Sequence, residues 1–97
     1  MATWRELISE AMQVSGEAMA DAVALATAGG VFTGQAVTRC SVLDVEFDDG
    51  WGGSEGAPFT LWTVERVYFP AVYDGSEWVC SVPRNPCAEA SEHVGGE

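Results

Sequence analysis

The stretch from Arg66 to Val82, RVYFPAVYDGSEWVCSV, decides the fold. Asp74-Gly75 separates two runs rich in β-branched and aromatic residues. An Asp-Gly pair in that setting signals a two-residue hairpin turn, because both turn positions need backbone conformations that Asp and Gly tolerate. Such a turn fixes the register: Tyr73 faces Ser76, Ala71 faces Trp78, Phe69 faces Cys80 and Val67 faces Val82. These pairs share one face that reads as apolar and is expected to be the buried one, so turn chemistry and patterning agree. Pro70 has no amide donor, which predicts an edge strand or a bulge there.

Upstream, Phe59–Val64 reads as a further strand. It follows DGWGGSEGAP (49–58), where four glycines in ten residues rule out a regular element. Before that loop, Leu43, Val45 and Phe47 alternate with Asp44, Glu46 and Asp48. Period two predicts a half-buried strand with three carboxylates on its wet face. A short helix capped by Ser41, with Asp44 three residues on, is the competing reading. Residues 31–41 show no clear period.

The N-terminus reads as helical. Thr3 and Glu6 in TWRE form a capping box, and Trp4, Leu7, Ile8, Ala11 and Met12 fall on one face. A second helix is expected over Glu17 to Ala28, stopped by Gly29-Gly30, with a strand over Val23–Thr27 as its rival. Asn85-Pro86 predicts a short helix over 86–94, ending in a frayed tail at 94–97. The expected architecture is a single α+β domain over residues 1–97, with N-terminal helices on an antiparallel sheet of three to four strands.

The 97 residues are too few for two domains, and 47% hydrophobic residues exclude a disordered acidic tail. Four Lys+Arg against fifteen Asp+Glu give 4 − 15 = −11, and all four cations are Arg. So acidic a chain is not expected to bind nucleic acid directly or to sit on an anionic membrane, since both need cations. The absence of Lys removes P-loop and Schiff-base chemistry. Residues 1–28 lack a basic start and an uninterrupted apolar run, which predicts neither a signal peptide nor a membrane span. With three cysteines that cannot all pair internally, the expectation is a cytoplasmic protein with reduced thiols.

Four chemistries compete for the polar residues. Cys80, Cys87 and His93 lack the close Cys pair of a zinc site, with Cys40 far upstream, so no metal is expected. Asp48, Asp49 and Glu55 supply hard oxygens without the spacing of an EF-hand. The single histidine, His93, stands near the C-terminus, a poor place for a preorganised base, and no enzyme and no cofactor is expected. The acids are different. On a strand, alternate carboxylates sit roughly 6.6 Å apart, the order of neighbouring phosphates along a nucleic-acid strand. Asp44, Glu46 and Asp48 would form such a row, extended by Asp49, Glu55, Glu65, Asp74 and Glu77. A charge of −11 exceeds the magnitude of about 2–8 that keeps a small domain soluble, and it opposes folding by self-repulsion. Trp51, flanked by glycine in the acidic loop, reads either as an exposed anchor for a protein partner or as a residue covering the core.

The segments DDGWGGSEGAPFT (48–60), RVYFP (66–70) and YDGSEWV (73–79) resemble small phage and prophage proteins, some of them associated with inhibition of CRISPR–Cas systems. The likeness covers about the C-terminal half. Lys-free acidity in so short a chain is similar to the DNA-mimic members of the anti-CRISPR group. The resemblance implies a stoichiometric inhibitor that occupies the basic DNA-binding groove of a Cas effector subunit. Anti-CRISPR proteins share no fold or catalytic set, so it implies nothing residue by residue beyond binding by exposed Asp and Glu. The rival is an interaction module anchored by aromatic residues, with the acidity serving solubility alone.

Overall fold

A computed structural model describes residues 2–47, 56–73 and 76–94. The chain is α+β. Helix α1 (Trp4–Ser15) and the short α2 (Gln35–Thr38) accompany a five-stranded antiparallel sheet. Its strands are β1 (Ala24–Thr27), β2 (Gly30–Thr33), β3 (Phe59–Trp62), β4 (Arg66–Tyr73) and β5 (Ser76–Pro83), in the order β2-β1-β3-β4-β5.

Helix α1 starts and stops on local chemistry. The Thr3 hydroxyl accepts from the Glu6 amide, and the Glu6 carboxylate accepts from the Thr3 amide. Gly16 ends the helix in the left-handed conformation, at φ 79, where a side chain would be strained. Trp4, Ile8 and Met12 are buried on the predicted stripe, and Leu7 and Ala11 pack beside them.

The β4–β5 hairpin has the predicted register, from Val67 opposite Val82 to Tyr73 opposite Ser76. The turn pair Asp74-Gly75 lies outside the described residues. Strand β4 is not the edge, because β3 flanks it. Yet β3 reaches only Val67 and Tyr68, so Pro70 meets no partner strand on that side and its missing donor costs nothing.

The buried face is the opposite of the expected one. Tyr68 and Val79 line the core with Leu61 and Leu25, whereas on the expected face Ala71 is buried but outside the core cluster, and Val67, Phe69, Trp78, Cys80 and Val82 are only half-buried. Cross-strand parity explains this. Leu61 pairs with Tyr68 and with Leu25, so one continuous apolar line runs across three strands beneath the helices. The inward face of the hairpin also carries Arg66, Glu77 and Ser81, so the local pattern favours the other face and the neighbouring strands override it.

Two further expectations change. The helix expected over Glu17 to Ala28 is a one-turn 3-10 helix, Met19–Asp21, followed by β1, which is the rival strand reading. Leu25 is fully buried between Phe32 and Leu61 as a strand residue, and pairing on both sides overrides the local helical pattern. Gly29, with Ala28, makes the β1–β2 turn instead of stopping a helix, and Gly30 opens β2 at φ 126. These two strands take the sheet to five. The strand expected over 42–48 is absent from its described part. Ser41–Asp44 form a 3-10 helix, closer to the competing reading, and only Phe47 bridges, to Ala2. Leu43 is fully buried but Val45 is 61% exposed, so the alternation does not divide inside from outside.

The helix expected over 86–94 does not form among the described residues. Asn85 donates its side-chain amide to the Val64 carbonyl rather than capping a helix, and the segment has no apolar stripe to bury.

Candidate functional site: acidic surface and uncharged sheet face

Of the carboxylates that the sequence singles out, the described ones, Asp44, Glu46, Glu65 and Glu77, do not form a row. Asp48, Asp49, Glu55 and Asp74, together with Trp51, lie outside the described residues. Asp44 sits at the end of a 3-10 turn and is clamped by Arg5, whose Nε and Nη2 donate to its two oxygens at 2.6 and 3.1 Å. That guanidinium holds the Asp44 carboxyl below the usual carboxylate range. Glu46 and Glu65 are exposed, and neither forms an ion pair among the described residues.

Glu77 is a correction. It is 5% exposed on the helix side of β5, not a surface acid, and its two oxygens accept from the Gly56 amide at 3.1 and 3.2 Å. It anchors the return of the glycine-rich loop to the sheet. Glu77→Gln is expected to lower stability by about 1 kcal/mol, because the amide keeps the shape but accepts more weakly than a carboxylate. A urea midpoint matching that of the parent would show that the carboxylate has no such role.

A cleft of about 560 Å³ lies between the C-terminal end of α1 and the tail after β5, lined by Glu17, Asp21, Glu65, Arg66 and Cys87 among others. Its polar floor is already engaged. Glu17 Oε1 accepts from the Tyr68 hydroxyl at 2.6 Å and from Thr63 Oγ1 at 3.2 Å. Arg66 makes a bidentate pair with Glu89, at 3.0 and 2.9 Å. Burial, and then the bond to Glu17, push the Tyr68 phenol up to about 12. Sequence reading missed this network, because Glu17 and Tyr68 stand 51 positions apart.

Cys40 is buried and Cys87 exposed. Cys80 lies on the open sheet face and accepts from Trp78 Nε1 at 3.0 Å. No helix among the described residues is long and apolar enough to cross a membrane.

The charge is divided between faces. The outer face of the sheet presents Val31, Thr33, Ala24, Ala26, Thr60 and Trp62 from its β2 side, then the outward residues of the hairpin. None of these described positions carries a charge. Every described acid stands on the helix layer, in a connection, in the tail or, like Glu77, on the inner face. No protein-family model, curated protein or solved structure matches the chain.

Proposed function

We propose that this chain is a non-enzymatic inhibitor of the anti-CRISPR type, whose acidic surface stands in for DNA and blocks the basic DNA-binding groove of a Cas effector subunit in the host cytoplasm. The observation that carries this reading is charge left unneutralised. Against a net −11, two ion pairs join arginine to acid among the described residues. The mimic is then a diffuse acidic field rather than a ruled line of carboxylates, with Glu46 and Glu65 as its described members beside Asp48, Asp49, Glu55 and Asp74. Such a field steers a basic groove over long range and fades with salt.

The test is displacement of duplex DNA from purified Cas effector complexes, at low ionic strength and at about 150 mM salt. Stoichiometric displacement that weakens steeply with salt is expected, and Glu46→Lys with Glu65→Lys should weaken it at least tenfold, since rim charges set encounter. Failure to displace DNA across a panel of effector types, or displacement indifferent to both reversals and salt, overturns the reading.

A second reading has its own observation: Trp62, Phe69 and Trp78 on an uncharged, open sheet face suit an aromatic-anchored protein interaction module. Trp51, the anchor expected from sequence, lies outside the described residues.

A further inference from the structure

A sheet needs both faces covered or one face wet, and this sheet has neither arrangement. The helices cover the inner face, where Leu25, Leu61, Tyr68 and Val79 are buried. On the outer face, Trp62, Val67, Phe69, Trp78, Cys80 and Val82 are half-buried, and Val31 is 71% exposed. Antiparallel sheets with a solvated side alternate apolar with polar residues, and β4 and β5 do not. No helix of the described chain packs on this side.

We propose that this outer face is where two copies of the chain associate, sheet against sheet. The inference rests on the second reading above and names its occupant. Three features select a second copy. The first is area: two eight-residue strands and three of four residues cover roughly 440 Å² in plane at ordinary strand spacing. Two such faces bury about 900 Å², just short of the ~1,000 Å² at which stable association begins, so the dimer is weak and transient. The second is symmetry. An isologous contact needs a patch that complements itself, and an uncharged apolar patch does so without any matching of signs. The third is charge. With no acid among the described positions of the contact, the −11 of each copy acts only from the periphery, where salt screens it.

The charge gives the dimer an unusual signature. Association tightens as salt is added, because added ions screen repulsion between two acidic bodies while the apolar contact persists. A contact with a basic partner responds in the opposite direction.

Sedimentation velocity of the full chain, over about 5–500 μM and between about 20 and 300 mM NaCl, reads this directly. A monomer–dimer equilibrium that strengthens several-fold with salt is expected. Val31→Glu, at an exposed position, and Trp78→Thr, a residue at home in strands, should each weaken it at least tenfold while circular dichroism stays native. A chain that remains monomeric throughout overturns the proposal. So does a dimer that both variants leave intact, or one that loosens as salt rises. Nile red, a neutral dye, separates the causes of failure at low chain concentration. Dye bound by a persistent monomer refutes only the second copy as occupant, whereas no dye and no dimer refutes the open apolar face itself. Neither result bears on DNA displacement by the acidic surface.

Discussion

Trp4→Ala is expected to cost about 3–5 kcal/mol, enough to leave the domain marginally folded or unfolded, given that domains of this size are stable by only about 5–15 kcal/mol. Trp4 is the first residue of α1 and the point where three chain segments meet. Its ring centre lies 4.7 Å from that of Phe47 and 4.9 Å from that of Phe59. Its indole Nε1 donates to the Ala57 carbonyl at 2.8 Å, which ties the helix start to the end of the glycine-rich loop. Truncation removes the packing and leaves a cavity, and it also takes the only side-chain donor from Ala57 among the described bonds. At about 4–8 °C per kcal/mol, the melting temperature should fall by roughly 12–40 °C. Trp4→Phe separates the contributions: it retains ring contacts and loses the hydrogen bond, at about 1–2 kcal/mol. Gly56 explains why the fit is tight. A Cβ there would lie 2.4 Å from Trp4 Cζ2, so Gly56→Ala should destabilise by pushing the indole. A Trp4→Ala protein melting within a few degrees of the parent would show that the aromatic cluster is not the keystone of this core.

How much of this was legible depends on how local each signal is. The α1 capping box and apolar stripe are short-range, and so is the hairpin register set by the Asp-Gly pair; both stand as the sequence predicts them. Which side of the hairpin faces inward was not legible, because the more apolar side is the outer one and the choice falls to Leu61 and Leu25, on strands elsewhere in the chain. The segment 42–47 failed for a related reason. Alternation in six residues fits a strand, but Arg5 on α1 draws Asp44 to itself and the burial of Leu43 favours a tight helical turn. Likewise Ala24–Thr27 has helical composition, and pairing on both sides makes it a strand. For the candidate site, the composition marked the charge correctly as excess. It could not separate acids engaged in the fold, such as Glu77 and Asp44, from those left open, such as Glu46 and Glu65, since the engaging partners lie far off in sequence.

The stability of the fold should also fall on the alkaline side through a single phenol. Tyr68 has no exposed surface and donates to Glu17 Oε1 at 2.6 Å. Ionising it would bury a phenolate against a carboxylate, with Arg66 too weak a counterweight, and its pKa rises from 10.0 to about 12. The raised value means that the neutral form is favoured in the fold. The corresponding stabilisation is fully present below about pH 10 and is lost as pH climbs through about 12. Two units at 1.36 kcal/mol each make that loss about 2–3 kcal/mol. Tyr68→Phe cannot ionise. At neutral pH it should be less stable than the parent by about 1–2 kcal/mol, because Glu17 loses a donor. Between pH 10 and 12 the difference should shrink, since only the parent carries the alkaline penalty. Urea unfolding of both proteins from about pH 8 upward measures this, and the thiols, common to both, cancel in the comparison. Parallel stability curves would mean that Tyr68 titrates as a free phenol. The Glu17–Tyr68–Thr63 network would then not join the end of α1 to the sheet as the geometry indicates.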